Sequence, residues 1–240
     1  MASGPPAQLR FDQPAIADLT LPDEAVAHPA AAEALRQGID DAVAAGATTV
    51  RWWAAPASAV TDDLARAAGL TPTRDLLHLR MPLPAADPDP ALTTRAFTPA
   101  DAEAWIQVNN RAFRWHPEQS GMTLARLGAV TAEPWFDAEG FLLHERDGRL
   151  AGFCWTKLHH DHAPLLGEIF VIAVDPDFHG QGLGRELTLA GLQWLARAGA
   201  STGGLYVESD NTVAITTYER IGFTVHHIQR AYTRSVDNTP

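Results

Sequence analysis

The sequence predicts an α/β protein of the mixed-sheet (α+β) kind, with one complete domain in residues 93–234 behind a partial copy of the same unit. Three observations carry that expectation. Apolar periodicity across residues 93–232 changes in the order βααβββαβαβ, which folds as a central sheet with helices on its faces. The stretch that begins at Glu33-Ala34-Leu35 recurs at Glu186-Leu187-Thr188, an offset of 153 residues (33 to 186) that needs no gap. Between the copies lies Met81–Pro90, with four prolines in ten residues, which reads as a stiff extended linker.

Bulk properties bound the function. A chain of 240 residues holds one or two domains, and 46% hydrophobic with 20% charged residues describes a packed globule rather than a disordered one. Eighteen basic residues against 29 acidic ones give a net charge of −11, which disfavours non-specific binding to nucleic acid or to an anionic membrane. The single cysteine, Cys154, excludes an internal disulfide framework and fits a reducing compartment. No run of 18 apolar residues is present, and Met1–Pro6 lacks the basic-then-apolar pattern of a signal peptide. A cytoplasmic, soluble monomer is expected.

Each element has its own signal. Thr93–Phe97 reads as a short strand, and Thr98-Pro99-Ala100-Asp101 starts a helix that runs to about Phe113. A second helix spans about Thr123 to Thr131. Phe141–Glu145 and Leu150–Thr156 flank Asp147-Gly148, a hairpin turn. Glu168–Val174 is an apolar strand opened by a carboxylate. Gly184–Arg197 is helical and stops at Gly199. Leu205–Glu208, Thr212–Arg220 and Thr224–Tyr232 complete the domain as strand, helix and strand. At the repeat offset, Trp53 falls on Tyr206 and Gly69-Leu70 on Gly222-Phe223. Residues 1–84 are thus a half-domain without a counterpart to residues 93–165, and residues 85–92 are the linker.

The most specific stretch is Ile172-Ala173-Val174-Asp175-Pro176-Asp177-Phe178-His179-Gly180-Gln181-Gly182-Leu183-Gly184-Arg185. It runs strand, turn, glycine-rich loop, helix. Its glycines permit positive φ and a close backbone approach, and the helix start offers unpaired N–H groups to an anion. A P-loop would end in Gly-Lys-Ser/Thr, and this loop ends in Gly184-Arg185-Glu186. A dinucleotide fingerprint needs different glycine spacing after the first strand of a parallel sheet. A pyrophosphate loop for coenzyme A remains.

With Asn211 to Tyr218 and Gly222-Phe223 downstream, this stretch resembles the GNAT acyltransferase superfamily over residues 93–232. Five further blocks are similar to the mycothiol synthase family: Val108–Phe113 with His116–Gln119, Gly152–Lys157, Gly167–Val171, and Leu205–Asn211. The resemblance implies a tandem GNAT ancestry and transfer of acetyl from acetyl-CoA to the cysteinyl amine of Cys-GlcN-inositol. It implies an acetyl-CoA site at Ile172, Ala173 and Val174, at His179, Gly180, Gln181, Gly182, Leu183, Gly184 and Arg185, and at Asn211, Thr212, Val213, Ala214, Ile215 and Thr216. It assigns Glu168 as general base and Tyr218 as general acid, with Glu118, Lys157, Glu168 and Tyr206 as substrate contacts and His116 as a possible companion. His179 departs from the family's usual Gln or Arg at the first loop position.

Chemistry supports these roles without deciding them. A partly desolvated carboxylate gains basicity, and a phenol near the coenzyme sulfur can donate a proton. The competing readings are a solvated strand-start residue for Glu168 and a core tyrosine packed on Phe223 for Tyr218. Cys154, in an apolar strand, is read as a core thiol. The run His159-His160-Asp161-His162 falls in a hairpin loop with no second ligand cluster, so no metal site is expected. In the first copy the glycine loop falls on Ala27-His28-Pro29-Ala30-Ala31, Glu168 on Ala15 and Tyr218 on Ala65. That copy is expected neither to bind nor to turn over acetyl-CoA, and instead to wall the substrate cleft. The family's acidic contact near its start finds no match here. A GNAT enzyme for another small amine and a non-catalytic acyl-CoA-binding module therefore stand beside the leading reading.

Overall fold

The computed structural model describes residues 16–86, 89–116 and 119–236. Glu118 and Ala15 lie outside them. Contacts divide the chain into two units. One joins the chain up to His78 with Glu208–Asp210 and everything from Val225, and the other holds Leu79–Val207 with Asn211–Thr224.

The first unit contains β1 (Ile16–Leu19), α1 (Asp23–Val26), α2 (Ala31–Ala44), β2 (Thr49–Ala54), α3 (Ala59–Ala67) and most of β3 (Thr71–Pro82). β1 runs parallel to β2, and β2 is antiparallel to the chain's last strand, β9 (Thr224–Ser235), which lies beside β3. Trp52 and Tyr232 sit opposite each other in register and stack at 5.3 Å. Around them Leu35, Ile39, Val50, Leu64 and Leu70 form the core. The alternation of buried residues along β2 puts this apolar set on one face. Ser58 caps α3 by accepting from the Thr61 amide at 3.2 Å.

The second unit contains the end of β3, β4 (Arg95–Ala96), α4 (Ala102–Ala112), α5 (Leu124–Thr131), β5 (Phe141–Arg146), β6 (Arg149–His159), β7 (Leu166–Val174), α6 (Leu183–Arg197), β8 (Thr202–Glu208, to Val207) and α7 (Thr212–Ile221). Its strands run in the order β3-β8-β7-β6-β5-β4, antiparallel from β4 to β7 and parallel at β7–β8. The β5–β6 hairpin turns on Asp147 (φ 53°) and Gly148 (φ 70°), the two left-handed residues that a type I′ turn requires.

β6 shows how the sheet is covered on both sides. Phe153 and Trp155 meet Trp105 of α4 at 5.2 and 5.8 Å. The intervening Cys154 faces α6, where a Cβ on Gly191 would come within 2.5 Å of its Sγ. A glycine is needed there because helix and strand approach so closely.

The order of elements expected from the sequence over residues 93–232, βααβββαβαβ, is the order found. Met81 and Pro82 close β3, where Pro82 stands at the strand's end and needs no ladder donor. The chain that follows lies against α6: the Ala91 amide donates to Glu186 Oε2 at 2.6 Å, and Leu92 packs on Ala151, Phe178 and Leu183. The 153-residue offset superposes whole elements: α2 on α6, β2 on β8, α3 on α7 and β3 on β9. β3 and β9 share the same burial pattern over their first ten residues.

Candidate active site

β7 and β8 pair from Leu166–Thr202 to Ile169–Leu205, and the ladder ends there although both strands continue. Ile172, Ala173 and Val174 therefore pair with β6 on one side but not with β8 on the other. A bulge marks the same level. Trp155 pairs with Val171 while Thr156 pairs with Ile169, so Phe170 is the extra residue. Bulges of this kind re-aim a strand beside a functional site. Here the bulge sets Glu168 directly opposite Lys157, and residues opposite each other in a ladder project to one face.

Glu168 is 6% exposed, not a solvated strand-start residue. Its Oε2 lies 2.6 Å from His159 Nε2, two residues beyond Lys157 on the same face of β6. Lys157 Nζ sits over the Trp135 ring at 4.6 Å and the Phe170 ring at 5.8 Å, two cation–π contacts that fix the ammonium on aromatic faces. Tyr206 of β8 belongs to the same group. Burial first, and then the Glu168 carboxyl, push its phenol above the ordinary tyrosine range. Of the expected substrate contacts, the structure brings together Lys157, Glu168 and Tyr206. His116 is buried elsewhere, its Nδ1 accepting from the Gln119 amide at 3.1 Å, so it shapes the loop after α4.

The glycine loop follows β7 directly. Asp175 caps its first turn, accepting from the Asp177 amide at 2.9 Å, and Arg111 and Arg149 each reach Asp177 at 2.7 Å. These two arginines offset the carboxylates at the loop entrance. His179 Nε2 lies 3.0 Å from the Val174 carbonyl, and Gln181 bonds Arg146. Gly180 (φ 75°) and Gly182 (φ 77°) hold left-handed conformations that any other residue adopts at a cost. A Cβ on Gly180, Gly182 or Gly184 would meet nothing within 4 Å, so space is open above the loop. Gly182 is the N-cap of α6, with Leu183, Gly184 and Arg185 in the first turn and no side chain capping it. A 15-residue helix thus presents unpaired amides and the positive end of its dipole.

Asn211 caps α7, accepting from the Ala214 amide at 3.2 Å, and Thr212, Val213, Ala214, Ile215 and Thr216 form the turns behind it. One turn on, Tyr218 is 9% exposed and packs on Phe223 at 5.8 Å. Burial pushes its phenol well above the ordinary range, so it keeps its proton at neutral pH. Burial also pushes the Cys154 thiol up, which suits a core residue rather than a nucleophile.

His159 and Trp135 join this group without a local sequence signal that marks them. The apolar run of the strand stops at Thr156, whereas β6 continues to His159. Extending the alternation of β6 by three residues would have put His159 on the face of Lys157.

Residues 102–223 match the acetyltransferase (GNAT) family. The chain belongs to that family. GNAT proteins use acyl-CoA donors, and the splayed strands and glycine loop described above lie within the matched region. The chain is 44% identical over 196 residues to the mycothiol acetyltransferase of Streptomyces griseus, covering 79% of this chain and 63% of that protein. It is 42% identical over 246 residues to the mycothiol acetyltransferase of Mycolicibacterium paratuberculosis, covering 93% of this chain and 75% of that one. A tandem GNAT protein from the clavulanic acid biosynthesis pathway shares the fold, with a TM-score of 0.67 at 16% identity over 94% of this chain and 77% of that chain. Among the described residues no helix is long and apolar enough to cross a membrane.

Proposed function

We propose that this GNAT chain transfers acetyl from acetyl-CoA to the primary amine of a small polar acceptor, and that the acceptor is the cysteinyl amine of Cys-GlcN-inositol. The observation that carries the reading is the buried Glu168 carboxyl, set on β7 one residue before the point where β7 and β8 part. In this reading the amides of residues 180–185 hold the coenzyme diphosphate, aided by the start of α6, while the His179 amide donates to the Pro176 carbonyl at the loop's entrance. Residues 211–216 line the other side of the coenzyme. The unpaired edge of β7 at Ile172–Val174 receives the pantetheine arm and supplies N–H groups to the thioester oxygen.

The chemistry is direct attack. Glu168 takes a proton from the acceptor ammonium, through a water where the distance requires one. The freed amine attacks the thioester carbon, forming a C–N bond and a tetrahedral oxyanion. Collapse breaks the C–S bond as Tyr218 donates its proton to the departing thiolate; the extra proton on the new amide nitrogen passes to the Tyr218 phenolate or to water, and Glu168 returns its proton to solvent. Lys157 and Tyr206 offer donors to acceptor hydroxyls, and Trp135 a flat apolar surface. Glu118 completes the proposed acceptor contacts.

The first unit does not bind a donor in this reading. The start of α2 has Ala30 as its N-cap, whose amide is taken by His28 Nδ1 at 3.1 Å, and Pro29 has no N–H to offer. Its role is structural support. The predominance of acidic residues and the single buried thiol fit a cytoplasmic enzyme of small metabolites.

The deciding experiment measures acetyl-CoA turnover with Cys-GlcN-inositol beside a panel of other small amines. Preferred turnover of Cys-GlcN-inositol supports the proposal. Turnover confined to unrelated amines replaces the acceptor, and CoA binding with no turnover on any amine overturns catalysis.

A further inference from the structure

The turn joining β6 to β7 carries a donor set of which acetyl transfer uses only His159, through its bond to Glu168. The chain reverses at residues 159–162, closed by the His162 amide donating to the His159 carbonyl at 3.1 Å. That reversal brings one ring nitrogen of His159, one of His162 and a carboxylate oxygen of Asp161 within 4.8 Å of one another. The two imidazoles meet edge to face at 5.8 Å. The His159 ring is already anchored from behind, because its Nε2 lies 2.6 Å from Glu168 Oε2.

We propose that His159, Asp161 and His162 form a site for a zinc-like divalent cation, with Glu168 as the carboxylate that orients the His159 ring. Two imidazoles and one carboxylate suit a borderline-soft ion, whereas calcium and magnesium favour all-oxygen sets. Zinc bonds of about 2.0–2.1 Å to tetrahedral ligands put the ligand atoms about 3.4 Å apart. The atoms, within 4.8 Å of one another, exceed that spacing by at most about 1.4 Å, which rotation of the side chains would have to close. Glu168 occupies Nε2, so the cation's bond falls to Nδ1. The result is a carboxylate–imidazole–cation relay, in which an outer carboxylate fixes the ring's tautomer and orientation. A fourth position stays open to water.

In the sequence the run of histidines stands alone, with no second ligand cluster to complete a metal site. The tertiary structure supplies the missing partner, because only the β6–β7 pairing brings Glu168 to His159. The site does not depend on the role proposed for Glu168 in acetyl transfer. It does give the two a link: a cation on Nδ1 makes Nε2–H a stronger donor and tightens its hold on the carboxyl.

The test uses the full chain, free of any histidine tag and stripped of metal with a chelator. Zn²⁺ is titrated by calorimetry, and Co²⁺ by its visible spectrum. The expected result is one ion per chain at micromolar affinity, with the intense cobalt bands of a four-coordinate site. His162→Ala and Asp161→Asn should each weaken binding tenfold or more while metal-free acetyl transfer is unchanged. Glu168→Gln should weaken it by about tenfold, as loss of an outer-shell carboxylate does. No binding below millimolar Zn²⁺, a weak octahedral cobalt spectrum, or an affinity that both turn variants leave unaltered would overturn the site. Affinity unchanged by Glu168→Gln would overturn the orienting role of that carboxyl.

Discussion

His159 Nε2 and Glu168 Oε2 stand 2.6 Å apart, a side-chain bond between neighbouring strands one step short of where β7 leaves β8. Glu168 is 6% exposed, so water does little to replace that bond. Loss of such a partner frees the carboxyl to rotate, and a hydrogen bond to a charged group is worth about 1.5–3 kcal/mol. His159→Ala is therefore expected to lower kcat about tenfold or more with KM for acetyl-CoA unchanged. His159→Gln, which keeps an N–H donor, should recover part of the loss. Steady-state kinetics on both variants check this, and an unaltered kcat in His159→Ala would remove any positioning role.

Glu168→Gln keeps the shape of the side chain and removes its capacity to accept a proton. Loss of one acid–base group typically costs about 10²–10⁴-fold in rate. Turnover should fall by that order, while CoA affinity, measured by calorimetry, stays within about twofold. A variant with undiminished turnover excludes the carboxyl as base.

Gly182 caps α6 at φ 77° with open space beyond it, so an alanine there meets backbone strain rather than a clash. Gly182→Ala should cost about 1–2 kcal/mol of stability and raise KM for acetyl-CoA as the loop shifts. Gly184, inside the first turn and equally open, should accept alanine with no loss of thermal stability. Melting curves for the pair separate conformational strain from crowding.

Tyr218 is buried, and its phenol lies above the ordinary tyrosine range. An acid must be protonated to act, so its contribution holds below its own raised pKa and fades only as pH climbs through it. Any alkaline fall in kcat caused by this residue should lie above about pH 10, the ordinary tyrosine value. Tyr218→Phe should leave the fold intact and lower kcat by about 10²-fold or more. A pH–rate profile of both proteins tests the assignment, and a phenylalanine variant with full activity would return Tyr218 to the core.

Arg95 bonds Asp101 at 2.7 and 2.9 Å at the start of the α4 segment, and chiefly for that reason the carboxyl is lowered from 3.8 to about 2. A group depressed on folding stabilises above its unfolded value and loses that contribution as pH falls through the folded one. The window is thus pH 3.8 down to about 2. Arg95 is 44% exposed, so solvent screening leaves about 1 kcal/mol. Asp101→Asn should lower stability at neutral pH by that amount and flatten the acid limb, as read by urea unfolding at several pH values.

Periodicity, turn chemistry and the 153-residue repeat were enough to lay out the elements of this chain, because each is a local property of a short stretch. The glycine loop was legible for the same reason: glycines mark where a chain can turn left-handed, and Gly180 and Gly182 take that conformation. Other features depended on strands meeting. The bulge at Phe170 sets which face Glu168 shares, and it exists only in the pairing of β7 with β6. The partnership with His159, the seat of Lys157 on Trp135 and the grouping of β9 with the first unit arise in the same way. Register between strands distant along the chain is decided by the packing of the whole sheet, and no window of sequence contains it.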